Sequence, residues 1–120
     1  MTNHTLKKSN EFKKVFLRGK KIISKYAILY IMPKEQECNR FGIIVRKRIG
    51  NAVQRNRIKR ILREIFYKCD KYSQEKKYDF IIIARSDILK VTFQEIFNEL
   101  RKIFLYYTEK NNETNKNKDI

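Results

Sequence analysis

The sequence predicts a single α+β domain, and three observations predict it. The chain has 120 residues and 42% hydrophobic content, which suits one domain with one modest core. Its apolar spacing switches along the chain, from the 3-and-4 rhythm of helices to the alternation or continuous runs of strands. Glycine, proline and polar clusters separate those segments in the order helix, strands, helix, strand, helix.

Residues 1–8 are polar and basic and are expected to be a flexible tail without signal-peptide character. Ser9 or Asn10 can cap a first helix with Glu11 in its first turn, and Phe12, Val15 and Phe16 form its apolar stripe. Gly19 is expected to end that helix in the left-handed conformation. Residues 20–32 predict two short strands broken near Ser24 and Lys25, with Tyr26, Ile28, Tyr30 and Met32 on one alternate set. A polar turn follows at 33–39, then a strand at 40–46 (RFGIIVR).

Gly50 and Asn51 break that strand from a helix expected to run to about Lys68, with Asn51 as its cap. Ile58, Ile61, Leu62, Ile65 and Phe66 make its apolar face. At 100° per residue, Arg55, Asn56, Lys59, Arg60 and Arg63 fall on an adjacent arc of roughly 140°, while Arg57 sits off it. Residues 70–77 are a polar connection. Residues 78–84 (YDFIIIA) are almost continuously apolar, which suits a buried strand and is compatible with parallel pairing. Thr92 and Glu95 form a capping box that opens a last helix, whose apolar face is Phe93, Ile96, Phe97, Leu100, Ile103, Phe104 and Tyr107. The domain is therefore expected to span 9–107, with a disordered tail at 108–120.

Charge sets the function class. There are 29 Lys and Arg against 13 Asp and Glu, a net +16, so a polyanionic partner is implied. Lysine enrichment alone could reflect an AT-rich genome, because Ile, Asn, Tyr and Phe are enriched with it. Arginine argues otherwise. Seven of the ten arginines lie in residues 40–63, a segment without one acidic residue. A solvated charged face normally carries acids at i+4, and here only Glu64, after Arg60, could serve. Guanidinium groups suit phosphate, and Asn56 on the arc could read a base or sugar edge.

An enzyme with its own catalytic groups lacks parts. The one histidine is His4 in the tail, the acids are scattered, and neither G-x-x-x-x-G-K nor G-x-S-x-G occurs. Cys38 and Cys69 have no metal-ligand spacing and are expected to be free thiols in a reducing cytosol. No stretch approaches the ~20 apolar residues of a membrane span. Phe12, Phe16 and Tyr30 are core by spacing, and could stack on unpaired bases only if their surface adjoins the basic ridge.

The run KRIGNAVQRNRIKRILR, residues 47–63, resembles the signature of the protein subunit of bacterial ribonuclease P. The flanks agree, with Phe12, Val15 and Phe16 upstream and the Asp-Phe-Ile-Ile-Ile-Ala-Arg end of residues 79–85 downstream. The resemblance covers about residues 6–107. It implies an αβββαβα, two-layer α–β sandwich of a type shared with a ribosomal protein domain, with a left-handed βαβ crossover. It also implies a partner, a large catalytic RNA that removes the 5′ leader of precursor tRNA using Mg²⁺ held mainly by RNA. No protein metal site, protein catalytic residue or stable protein partner is implied. By position, Arg46, Lys47, Arg48, Asn51, Arg55, Asn56, Arg57, Lys59, Arg60 and Arg63 would face RNA. Phe12, Phe16 and Tyr30, bordered by Arg55, Asn56, Lys59 and Arg63, would receive the single-stranded leader. The resemblance implies a cytoplasmic ribonucleoprotein endonuclease of tRNA processing. A structural RNA-binding protein would have the same charge without the leader cleft. A DNA-binding regulator would need a helix-turn-helix or dimer element, and neither is evident. A membrane-surface role would compete for the apolar face that the core needs.

Overall fold

The structure is a computed structural model and describes residues 5–70 and 76–117, with side chains through Thr108. The tail residue His4, the middle of the polar connection at 71–75 and the last three residues lie outside these. The elements are α1 (Ser9–Arg18), β1 (Lys20–Ile23), β2 (Ala27–Pro33), β3 (Arg40–Ile44), α2 (Ala52–Asp70), β4 (Tyr78–Ala84) and α3 (Phe93–Asn117). Single 3-10 turns at Lys47–Ile49 and Ser86–Lys90 lead into α2 and α3. This is a mixed α+β architecture of one four-stranded sheet and three helices, as the sequence predicts.

The sheet has the order β1-β2-β4-β3. β1 and β2, the two strands expected on either side of the break near residues 24–25, pair as an antiparallel hairpin, and β4 runs antiparallel to β2 and parallel to β3. β4 is thus a central strand with neighbours on both sides, which explains its nearly continuous apolar sequence. β3, α2 and β4 together make the parallel βαβ unit.

Alternation sorts the sheet residues onto two faces. Leu29, Ile31, Phe41, Phe80 and Ile82 meet α2 and α3 in the main core, around Leu62, Ile65, Phe66, Ile96, Leu100 and Phe104. Aromatic rings knit it together, with Phe41 4.1 Å from Phe66 and Phe80 4.7 Å from Phe104 between centroids. Truncating any of these to alanine is worth about 3–5 kcal/mol. The opposite face carries α1 and a smaller cluster of Leu6, Val15 and Ile81, with Phe12, Tyr30, Met32, Ile44 and Ile83 against it. α2 and α3 therefore make the α–β sandwich with one face, and α1 lies on the other.

Several local expectations change. Packing begins before Ser9: Thr5 bridges Phe41, and Leu6 is buried with its N–H donating to the Phe41 carbonyl at 2.9 Å. α1 is capped by neither Ser9 nor Asn10, since the helix begins one residue earlier and the Glu11 carboxylate takes the free amides of Lys7 and Lys8. Gly19 is extended, at φ −76°, rather than left-handed. Its reason is close approach: a Cβ there would lie 2.6 Å from the Val15 carbonyl oxygen and 3.2 Å from that of Ile31. β3 ends at Ile44 rather than 46, α2 continues to Asp70, and the α3 backbone stays helical to Asn117, past the expected end at 107. The Thr92–Glu95 capping box forms as expected, with each side chain accepting the other's backbone N–H.

Candidate nucleic-acid interface

The entry to α2 is built by short-range chemistry. The Asn51 side-chain oxygen accepts the Gln54 N–H at 2.8 Å, and the Gln54 side-chain oxygen accepts the Asn51 N–H at 2.9 Å. This reciprocal box satisfies amides that the helix start would leave open. A side chain at Gly50 would meet the Gln54 side-chain amide and displace its half of the box. Arg55 folds back to donate to the Gly50 carbonyl at 2.7 Å. Ile49, buried, pins the preceding turn, and Arg46, Lys47 and Arg48 around it are exposed.

Beyond the cap, Ile58, Leu62, Ile65, Phe66 and Cys69 point into the core. That fixes the rotation of the helix. Asn56, Arg57, Arg60 and Arg63 are exposed, and Arg55 and Lys59 half-buried. Among the described residues the ion pairs within 4.0 Å are Lys34–Asp79, Arg40–Glu11 and Arg40–Asp79, so no acid neutralises an α2 cation. The ridge is a run of uncompensated positive charge held by a well-packed apolar seam.

The expected aromatic set comes together on the other face of the sheet. The Phe12 ring lies against Gly42, where a Cβ would sit 2.5 Å from the ring, so this glycine is required for the contact. Phe16 meets Tyr30 edge-on, with centroids 4.9 Å apart at 84°, and is 38% exposed. In register, Lys21, Tyr30 and Ile81 form one cross-strand row, and Ile23, Ile28, Ile83 and Ile44 the next. Ile23 is exposed and the other three residues of that row keep at least part of their surface, so the row continues the aromatic patch as an aliphatic floor. Among the described residues no hydrogen bond or ring contact links Phe12, Phe16 or Tyr30 to Arg55, Asn56, Lys59 or Arg63. The sheet stands between α1 and α2.

Sequence reasoning missed the device that holds α1 over this face. Buried Asp79 accepts two guanidinium bonds from Arg40, at 3.1 and 3.0 Å, and Arg40 also donates to Glu11 at 3.0 Å. The Lys8 and then Lys7 backbone amides, opposed by burial and helped by Arg40, bring the Glu11 carboxyl down from 4.5 to about 2. The bonds to Asp79 raise the already high Arg40 pKa. An acid inside an apolar strand was the available signal; its partner, 39 residues away, was not. No group of three or more His, Cys, Asp or Glu among the described residues is placed to hold a metal ion, and none of their helices is long and apolar enough to cross a membrane. Among the described residues neither Cys38 nor Cys69 is in a disulfide.

Fold and ridge together define a small α+β domain that presents a cationic helix face to a polyanion. Residues 1–108 match the family model described as Ribonuclease P. The chain is 41% identical over 102 residues to the ribonuclease P protein component of Exiguobacterium sibiricum, covering 84% of this chain and 87% of that one. Against the counterpart of Bacillus pumilus it is 42% identical, covering 82% and 83%. Its fold superposes on the RNase P protein of Staphylococcus aureus with a TM-score of 0.73 at 31% identity, covering 84% and 92%. For the protein of Thermotoga maritima the TM-score is 0.73 at 27% identity, covering 83% and 94%. The chain belongs to the ribonuclease P protein family, and so to tRNA processing and RNA binding.

Proposed function

We propose that this chain binds the catalytic RNA of ribonuclease P through its α2 ridge and the 5′ leader of precursor tRNA through the α1 face of its sheet, assisting removal of that leader in the cytosol. The observation that carries this reading is the α2 surface: Arg57, Lys59, Arg60 and Arg63 project from one packed helix with no acidic partner among the described residues. Such a surface attracts a phosphate backbone and releases its counterions. Arg46, Lys47 and Arg48 extend the same charge upstream of the cap, where Asn51 has its oxygen engaged.

The Phe16–Tyr30 pair gives the leader something other than charge. Exposed ring surface beside Lys21 and the isoleucine row suits unpaired bases, which stack on aromatics and need no complementary strand. Chemistry on the phosphodiester falls to the RNA and its Mg²⁺, and the protein's part is to hold substrate and screen phosphate repulsion.

The test is precursor-tRNA cleavage by a bacterial ribonuclease P RNA at low Mg²⁺, with and without the protein. Restored 5′ processing supports the assignment. Binding of the RNA without any rescue of cleavage would leave a structural RNA-binding protein instead.

A further inference from the structure

The basic arc of α2 does not end at Arg63. Measured around the helix from Ile58, Arg63, Arg60 and Asn56 lie at about 140°, 200° and 160°, and Tyr67 at about 180°, inside the same stripe. Tyr67 is 48% exposed although it is a large aromatic. Its ring is not loose. Phe41 and Phe66 each meet it edge-on, with centroids 5.7 Å away, at 84° and 70°. Two T-shaped contacts from buried rings fix the plane of the third.

Around it, Arg60, Arg63, Glu64, Tyr67 and Lys68 line an open groove of about 420 Å³. Three of the five are cations and one is an acid, so the groove is electropositive with an aromatic floor. Charge complementarity selects an anion, and the ring selects an anion that carries a flat apolar face. A nucleotide has both.

We infer that Tyr67 is a stacking platform for one unpaired nucleotide of the RNA partner, with Arg60, Arg63 and Lys68 on the flanking phosphates. The inference rests on the proposed RNA-binding role and adds to it a contact at the far end of the ridge from the RNR block. It also divides the helix by chemistry: cations with Asn56 towards the start, cations around an aromatic ring towards the end. A pre-oriented ring loses little freedom on binding, which favours stacking over a mobile side chain.

The chain contains no tryptophan, so Tyr67→Trp places a lone indole at this point. The titrant is a bacterial ribonuclease P RNA, with binding followed separately by anisotropy of labelled RNA. Stacking predicts that indole emission falls as the RNA binds, and that a fully paired RNA duplex binds at low salt without that change. Tyr67→Leu, which keeps apolar contact with Phe41 and Phe66, is expected to weaken binding about tenfold or more, and Tyr67→Phe about twofold at most. Emission unmoved on binding, or equally quenched by duplex, overturns the stacking site and leaves the RNA-binding function standing. An RNA that does not bind at all removes both.

Discussion

At the scale of single residues, the α1 face of the sheet holds stability and recognition side by side. Asp79 is buried inside an apolar strand and tolerable there because Arg40 supplies two charge-assisted bonds. Glu11 shares that arginine and caps α1, so its depressed pKa is a statement about folding. Its contribution is fully present above about pH 4.5 and is lost as pH falls towards 2. Glu11→Gln is expected to destabilise the domain by about 1–2 kcal/mol at pH 7. The difference from the parent should shrink steadily below pH 4.5, as read by urea unfolding at pH 7 and 3. Phe16 belongs to the other category. With 38% of its surface exposed it contributes modestly to the core, so Phe16→Ala should fold. It is expected to weaken leader-bearing precursor by about tenfold and mature tRNA hardly at all. Equal losses for both RNAs would assign Phe16 to packing alone.

At the scale of elements, the helices were the most legible part of the sequence. The spacing of Ile58, Leu62, Ile65 and Phe66 fixed which side of α2 is buried and therefore which side carries the arginines. The caps at Asn51 and Thr92 were equally readable, because their hydrogen bonds span three residues. Where the governing contact is distant, the reading failed. Gly19 ends α1 as read, but the reason it is glycine is its close approach to the Val15 and Ile31 carbonyls, set by how the chain leaves the helix for β1. Leu6 looked like tail because what holds it is distant: its side chain packs with Ile81 and its N–H bonds the Phe41 carbonyl. Tyr67 already falls on the basic arc by the same arithmetic; what the sequence lacked was the buried Phe41 ring, 26 residues away, that helps to fix it. The ridge itself yields a quantitative expectation. Arg60→Ala removes one exposed cation that no acid satisfies, so RNA affinity should fall and the magnitude of its log–log salt slope should drop by about one unit. An unchanged slope would take Arg60 out of the interface.

For the whole molecule the governing quantity is charge. A net +16 on 120 residues repels itself in the folded state more than in an expanded chain, so the fold lacks a counterpart when no anion is present. Anything that binds the compact ridge and not the unfolded chain stabilises by mass action. Millimolar tripolyphosphate is accordingly expected to raise the melting temperature by about 5–10 °C, well beyond sodium chloride of the same ionic strength. Equal shifts from the two salts would mean that general screening, rather than a site, relieves the repulsion.

The strand order has its own consequence in time. β4 lies between β2 and β3, yet it is synthesised after both, and after the whole of α2. The β1–β2 hairpin can close as it emerges, but β3 has no neighbour to join until Tyr78–Ala84 arrives. At about 5–20 residues per second, that leaves a newborn chain for seconds with its apolar strand and its arginine helix both displayed and its sheet unfinished. The last strand to appear is therefore the keystone, and a ribosome-tethered chain stopped short of it would hold a hairpin and a nascent helix rather than a domain.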